Sequence, residues 1–280
     1  ISACLVGSEM CIRDRRNPIA AYTHRSGFRL GAPVEFKDFL WEALDDPAAR
    51  VSMIQTAENL ARRYGITRPE VDAYASQSQA RALAAQERGL FDEEIVTVDN
   101  EVLALEGYEP RAIRLPRKTA AQSRDTHPRH SPVEVLAGLR PVYEGGVQTA
   151  GNSSALVDGA AAAVVVHGGY LREHGLHALA RLRGAAAAGV PPEIMGIGPV
   201  PAIQALLQRA GLRLDEIGLF EVNEAQGAQT LAVARELEID LDRLNVNGGA
   251  IAIGHPLAAT GVRATLTLAR ELRRRGLRYG

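Results

Sequence analysis

The residues best equipped for chemistry sit in three short segments of the second half of the chain. Asn247-Gly248-Gly249-Ala250-Ile251-Ala252-Ile253-Gly254-His255-Pro256 places one histidine behind three glycines and ahead of a proline. Read as an apolar strand over 250–253 that turns into a helix, this segment fixes the backbone at His255 and lets the imidazole point into a cleft. There its near-neutral pKa suits a general base; the plain alternative is a helix-entry histidine bonded locally. Asn223-Glu224-Ala225 follows the short alternating run Leu219 to Val222. Polar side chains at the carboxyl end of a strand in an open α/β sheet are favoured ligand positions, and Asn223 there could hold a water or a carbonyl oxygen. It would serve equally well as the N-cap of the next helix. Thr149-Ala150-Gly151-Asn152-Ser153-Ser154 offers small polar groups that either line a pocket or simply turn the chain.

The elements that must position these segments are legible from periodicity. Met53, Ile54, Ala57, Leu60 and Ala61 recur at helical spacing and stop at Gly65. Thr67-Arg68-Pro69-Glu70 has the spacing of a capping box, and the run to Arg88 carries Val71, Tyr74, Ala75, Ser78, Ala82 and Ala85 on one side. Ile95 to Val98 reads as a short strand. Residues 99–148 read as long, proline-punctuated loops in which Arg111, Arg114, Arg117, Lys118, Arg124 and Arg129 are opposed over 111–130 only by Asp125. That basic stretch is either a solvated loop or an anion site for a phosphorylated ligand, with RNA a weaker reading. Ala160 to Val166 is a buried strand or a small-residue helix, which periodicity does not separate. Ala178 to Ala188 reads as a strand running into an alanine-rich turn, Pro201 to Arg209 as a helix that stops at Gly211, Asp215 to Val222 as a strand, and Gln226 to Leu237 and Thr260 to Arg275 as helices. Alternating helices and short apolar strands predict a layered α/β domain.

Composition narrows the field further. The 280 residues are 46% hydrophobic and 23% charged with a formal charge of -1, which places the chain among ordinary globular proteins and argues against a surface built wholly for nucleic acid or anionic membrane. The most apolar run is far shorter than the roughly 20 residues of a membrane-spanning helix. The two cysteines, Cys4 and Cys11, have neither zinc-site spacing nor a disulfide framework around them, so a reducing, cytoplasmic setting is expected. There is no Walker loop, no G-x-G-x-x-G after a strand, no H-E-x-x-H and no G-x-S-x-G.

Taken in order, the segments resemble the thiolase family of coenzyme A-dependent acyltransferases. The resemblance is carried by 149–154 with Asp158-Gly159-Ala160-Ala161-Ala162, by Gly196-Ile197-Gly198-Pro199-Val200-Pro201-Ala202, by Asn223-Glu224-Ala225 and by 247–256. Met53 to Asn59 and Phe91 to Val96 resemble the family's inserted domain. The resemblance implies a layered αβαβα fold of two similar five-stranded α/β halves. It also implies a reversible, two-step Claisen-type exchange on 3-ketoacyl coenzyme A thioesters, with coenzyme A or acyl-CoA as ligand, no further cofactor and a homodimer or homotetramer for the parent protein. In that chemistry His255 matches the histidine that activates a nucleophilic cysteine and helps form an oxyanion hole. Asn223 matches the asparagine that orients a water there, Ser154 a serine approaching the pantetheine, Met53 a methionine of the acyl pocket, and Arg129 a basic residue near the coenzyme A phosphates.

The same resemblance predicts departures. Residues 1–16 read as a tail foreign to the family, 17–147 mainly as the inserted loop domain, 148–168 as a return to the first half, and 169–280 as the second half without its last strand. Neither Cys4 nor Cys11 lies in a segment like the family's cysteine motifs, so the chain as given is expected to be inactive by itself. Gln226 stands where the family usually has phenylalanine after N-E-A. The second reading is a non-catalytic thiolase-like module that binds acyl-CoA or lipid.

Overall fold

The computed structural model describes residues 2–9, 19–21, 27, 30–31, 35–104, 106–107, 109–112, 115 and 118–280. Cys11 and the basic residues Arg114 and Arg117 lie outside the described residues, as do the side chains of Cys4 and Arg111. Among the described residues the helices are α1 (Phe39–Ala43), α2 (Met53–Tyr64), α3 (Arg68–Glu87), α4 (Val133–Ala137), α5 (Gly168–Glu173), α6 (Pro199–Ala210), α7 (Gly227–Glu236), α8 (Ala250–Ile253) and α9 (Leu257–Arg275). The strands are β1 (Ser2–Glu9), β2 (Ile19–Ala20), β3 (Lys37–Asp38), β4 (Asp45–Asp46), β5 (Val51–Ser52), β6 (Val98–Asp99), β7 (Val102–Leu103), β8 (Arg111–Ala112), β9 (Ala121–Gln122) and β10 (Gly159–Val165). They pair antiparallel two at a time: β1 with β10, β2 with β3, β4 with β5, β6 with β9 and β7 with β8.

The capping chemistry explains where the two long helices of the first half begin. Ser52 Oγ accepts from the Gln55 N–H while Gln55 Oε1 accepts from the Ser52 N–H, a reciprocal box that starts α2. Gly65, at φ 60°, ends it in the left-handed conformation that glycine tolerates best. Thr67 and Glu70 close the corresponding box on α3, with Pro69 in its first turn, as their spacing predicts. Helix α7 packs against both. Every residue from Gly227 to Ala234 is buried, so α7 is surrounded on all sides. Its Leu231, Ala232 and Val233 share one apolar core with Leu60 and Ala61 of α2, Val71 and Ala75 of α3, Leu244 and Ile251. Burial of each large aliphatic side chain is worth about 1.5–3 kcal/mol, so this junction is a major source of stability for the second half.

Four element expectations are corrected. Residues 250–253 form the single helical turn α8, because the N–H groups of Ala252 and Ile253 both close onto the Gly249 carbonyl at 2.9 and 3.0 Å. The strand expected over 215–222 is a 3₁₀ turn at Leu214–Glu216 followed by extended chain with one parallel bridge, Phe220 to Leu244. The strand expected over 95–98 begins only at Val98, since Ile95 N–H is spent on a turn to Phe91 O at 2.9 Å. Residues 178–188 are almost all exposed and have no regular structure, with no strand beside them among the described residues. Of residues 160–166, all but Val166 lie in a strand, β10, although Val164 and Val165 on it are exposed. No helix among the described residues is long and apolar enough to cross a membrane.

Candidate functional site

Two carboxylates and one asparagine hold the first segment in place. Glu58, buried on α2, accepts from the N–H groups of Val147 and Gln148 at 2.9 and 2.8 Å. A Cβ on Gly146 would lie 2.5 Å from the same carboxylate, so the turn needs glycine there. Asn152 is fully buried; its Nδ2 donates to Asp72 Oδ1 at 2.8 Å and Val147 O at 2.9 Å, and its Oδ1 accepts from Thr149 N–H at 2.7 Å. Asp72 is in turn held by Arg68 Nε at 2.7 Å.

From this anchored turn the chain runs along both of the other segments. Asn152 O accepts from Gly227 N–H at 2.9 Å, Ser153 Oγ donates to Gln226 Oε1 at 2.6 Å, and Ser154 sends both its N–H and its Oγ–H to Ala225 O at 3.1 and 3.0 Å. Ala155 O then accepts from His255 N–H at 2.8 Å. Gly254, at φ 92°, lets Val157 approach so closely that a Cβ there would sit 2.4 Å from its methyl carbon. One stretch of eight residues, 152–159, therefore sets the spacing between the Asn223 turn and the His255 turn.

A buried carboxylate locks those turns from the other side. Glu224 is completely buried and accepts four hydrogen bonds: from Tyr74 Oη at 2.7 Å, Ser78 Oγ at 2.7 Å, Asn245 Nδ2 at 2.9 Å and Ile251 N–H at 3.0 Å. The last of these lies in the first turn of α8, where negative charge is favoured. Burial and the Glu224 charge push the Tyr74 pKa well up, which keeps its hydroxyl a donor. A Cβ on Gly249 would lie 2.4 Å from the Glu224 carboxyl carbon. Asn245, at φ 46°, extends the ladder beyond Phe220: its Oδ1 accepts from Val222 N–H and its Nδ2 donates to Val222 O, both at 2.8 Å. The side chain thus does what a neighbouring strand would do for Val222.

At the end of this frame His255 Nε2 stands 3.3 Å from Asn223 Nδ2, and His255 Nδ1 stands 2.6 Å from Thr260 Oγ1. Asn223 does not cap α7, whose N-cap is Gln226. Its Oδ1 is buried with no hydrogen-bond partner. Beside the pair is a cavity of about 410 Å³ bordered by Asn223, His255, Thr260, Glu221 and the Leu257–Leu268 face of α9. A second cavity of about 270 Å³ lies across Asn223, against Pro199, Ile203 and Leu206 of α6. Burial, and then the positive charge of Arg263, hold the His255 pKa below its usual value, which favours a neutral ring at pH 7. Burial lifts Glu221 to about 8 despite Arg263 3.5 Å away, with Glu224, Glu94 and Glu271 adding to the rise.

The remaining expected residues fall elsewhere. Ser154 is tied to the Asn223 turn by its two bonds to Ala225, but it, Met53, half-buried at the start of α2, and Arg129, exposed, border neither cavity. Arg129 is linked to the frame only by its backbone, which donates to Gln79 Oε1 at 2.9 Å, while Gln79 Nε2 donates to Ile251 O at 3.1 Å. Among the described residues no group of three His, Cys, Asp or Glu side chains is arranged to hold a metal ion. Sequence reasoning missed Glu224, Thr260 and Glu221. The available signal was Tyr74 and Ser78, two polar residues on the apolar side of α3, both of which point to Glu224.

Comparison with known proteins gives the family and the fold. Residues 5–168 match the thiolase N-terminal domain and residues 176–280 the thiolase C-terminal domain. The chain belongs to the thiolase family. It is 42% identical over 264 residues to the mitochondrial 3-ketoacyl-CoA thiolase of Homo sapiens, an alignment that covers 94% of this chain and 63% of that protein. The crystal structure of the Bacillus anthracis acetyl-CoA acetyltransferase superposes with a TM-score of 0.83 at 44% identity, covering 93% of this chain and 63% of the other. That of human mitochondrial 3-ketoacyl-CoA thiolase in complex with CoA gives 0.83 at 41% identity, covering 94% and 62%. The fold is therefore the thiolase fold, and the chain spans a little under two thirds of the length of these relatives.

Proposed function

We infer that His255 and Asn223 form the oxyanion-stabilising half of a coenzyme A thioester site, and that the protein at the length of its relatives is a 3-ketoacyl-CoA acyltransferase. The observation that carries this reading is the 3.3 Å approach of His255 Nε2 to Asn223 Nδ2 at the edge of the 410 Å³ cavity. Hydrogen-bond donors fixed in a largely buried setting stabilise negative charge on a thioester oxygen far better than water does. The relative solved with CoA supports coenzyme A thioesters as the ligands. In the thiolysis direction a cysteine thiolate attacks the 3-keto carbon, the bond between carbons 2 and 3 breaks, and acetyl-CoA leaves as its enolate and is protonated. The acyl group on sulfur is then transferred to a second coenzyme A thiolate.

The 280 residues by themselves are proposed to be inactive. Their only cysteines are Cys4, whose backbone pairs with Ala163 in the β1–β10 ladder, and Cys11. Neither lies in a segment resembling a thiolase cysteine motif, and without an acylated thiol the covalent route is closed. Ser154 near the pantetheine, Met53 at the acyl group, Arg129 near the phosphates, a cytoplasmic location and an oligomeric parent belong to the same proposal. The test is loss of acetoacetyl-CoA enolate absorbance on addition of coenzyme A. Turnover by the protein at full thiolase length and none by the 280 residues supports the proposal. Turnover by the 280 residues contradicts their inactivity, and binding without turnover at full length would favour a non-catalytic acyl-CoA module.

A further inference from the structure

The geometry points to Glu221 as a positioning residue whose carboxylic acid donates to Asn223 Oδ1, so that the Asn223 amide turns its N–H groups to the side of His255 Nε2 and the larger cavity. The chain is extended ahead of Asn223: the backbone of Phe220 bonds to the backbone of Arg243 and Asn245, and that of Val222 to the Asn245 side chain. Side chains alternate along such a run. Phe220 and Val222 accordingly join the apolar core, while Glu221 and Asn223 lie together on the opposite face. Each of these two borders both cavities.

Asn223 Oδ1 is a buried acceptor without a donor, a state that folded proteins rarely leave uncorrected. The other donors bordering the two cavities are committed elsewhere. Thr265 Oγ1 donates to Gly261 O at 2.8 Å, Thr260 Oγ1 is 2.6 Å from His255 Nδ1, and His255 Nε2 lies on the Nδ2 side of the amide at 3.3 Å. Glu221 remains. Its side chain is 6% exposed; one carboxyl oxygen is 3.5 Å from Arg263 Nη1, and the other has no hydrogen-bond partner among the described residues. The charged groups that face it are Arg263 and Glu271 of α9, Glu94 in the turn after α3, and Glu224, while Arg263 also acts on Asp125. Burial is the largest influence on its proton, and together with the three carboxylates it outweighs Arg263, so the carboxyl stays protonated at pH 7. The opposite arrangement, an ionised Glu221 accepting from the Asn223 amide with the amide oxygen turned to His255, would spend both donors of the site inside the protein.

The consequence for catalysis rests on the oxyanion reading given above, but the proton on Glu221 does not, and it can be measured on the 280 residues themselves. The chain labelled with ¹³C at glutamate Cδ and ¹⁵N at asparagine Nδ2 is followed by NMR across the neutral and mildly alkaline range. Glu221→Gln and Asn223→Ser identify the two signals; if the glutamine variant does not fold, Glu221→Asp identifies the carboxyl. The expected result is a Glu221 carboxyl that is protonated at pH 7 and ionises at about 8, with the Asn223 Nδ2 signal moving in the same step. A step in that signal below 6.5 belongs to His255 instead. A wild-type Glu221 already ionised at pH 7 would overturn the assignment, and an Asn223 signal that does not follow the Glu221 step would remove Glu221 from the role. At full thiolase length, Glu221→Met, which has no donor, should lower kcat for acetoacetyl-CoA about tenfold with KM unchanged, and Glu221→Gln, whose amide still donates, should recover most of that loss. The ratio of the wild-type kcat to that of the glutamine variant should fall as pH rises through about 8, since thiols titrate alike in both and cancel. If that protein fails to turn over acetoacetyl-CoA at all, the oxyanion reading fails while the NMR result still decides the Glu221 proton. If it turns over with kcat unmoved by the methionine, or lowered equally by methionine and glutamine, Glu221 has no positioning role.

Discussion

Tyr74 donates its hydroxyl to Glu224 Oε1 across 2.7 Å, with both side chains buried, and this bond ties helix α3 to the turn that carries Asn223. Ser78, one helical turn further along α3, makes a second bond of 2.7 Å to the other carboxylate oxygen. Asn223 is thus positioned by a helix that begins about 150 residues earlier in the chain. Tyr74→Phe keeps the ring and removes one bond to a charged group, so it should cost about 1.5–3 kcal/mol in urea unfolding with an unchanged m-value. A loss below about 0.5 kcal/mol would show that Glu224 finds a substitute donor.

Asn152 and Asp72 should behave as a coupled pair. Asn152→Ala removes three side-chain hydrogen bonds and leaves Asp72 Oδ1 without its donor, an expected loss on the order of 2–3 kcal/mol. Asn152→Asp should be worse at neutral pH, because it sets a second carboxylate beside Asp72 where an amide donor stood. The check is chemical denaturation of both variants together with Asp72→Asn. A double variant whose loss equals the sum of the singles would contradict the coupling.

Glu221 makes stability depend on pH in a defined direction. Its folded-state pKa of about 8 lies above the ordinary 4.5, so the folded protein holds that proton more tightly than the unfolded chain does. The resulting stabilisation is fully present below pH 4.5 and is lost as pH rises through about 8. Glu221→Gln cannot ionise, so its stability relative to the wild type should grow with pH over that window and level off above it. A difference that stays constant from about pH 5 to 9 would contradict the assignment.

The longer helices, α2, α3, α6, α7 and α9, were legible because their signals are local, whereas the short α1, α4, α5 and α8 were not. The Ser52–Gln55 and Thr67–Glu70 boxes, the stops at Gly65 and Gly211, and the apolar spacing of α2, α6, α7 and α9 all act within a few residues. The strands were not, because an extended run takes its identity from a partner. Residues 219–222 and 178–188 alternate or run apolar as strands do, but only Phe220 forms a backbone bridge, and Val222 is served instead by the Asn245 side chain. Residues 250–253 look like a strand by composition and become a helical turn because Gly249 and the Glu224 carboxylate organise their N–H groups. At the site, His255 was picked out by the glycines before it and Asn223 by the alternating run before it, although that run forms a single bridge and no strand. Glu224 was hidden inside the motif that names Asn223, since its partners come from α3 and from Asn245 and its burial cannot be read from neighbouring residues.

The most direct measurement is the thiolysis rate of acetoacetyl-CoA at full thiolase length for His255→Ala, Asn223→Ala and the double variant. Each single change should lower kcat by about 10²-fold or more, with the double variant far short of the product of the two, because both side chains serve one developing charge. Single variants within about threefold of the wild type, or losses that multiply fully in the double variant, would contradict a shared oxyanion site at His255 and Asn223.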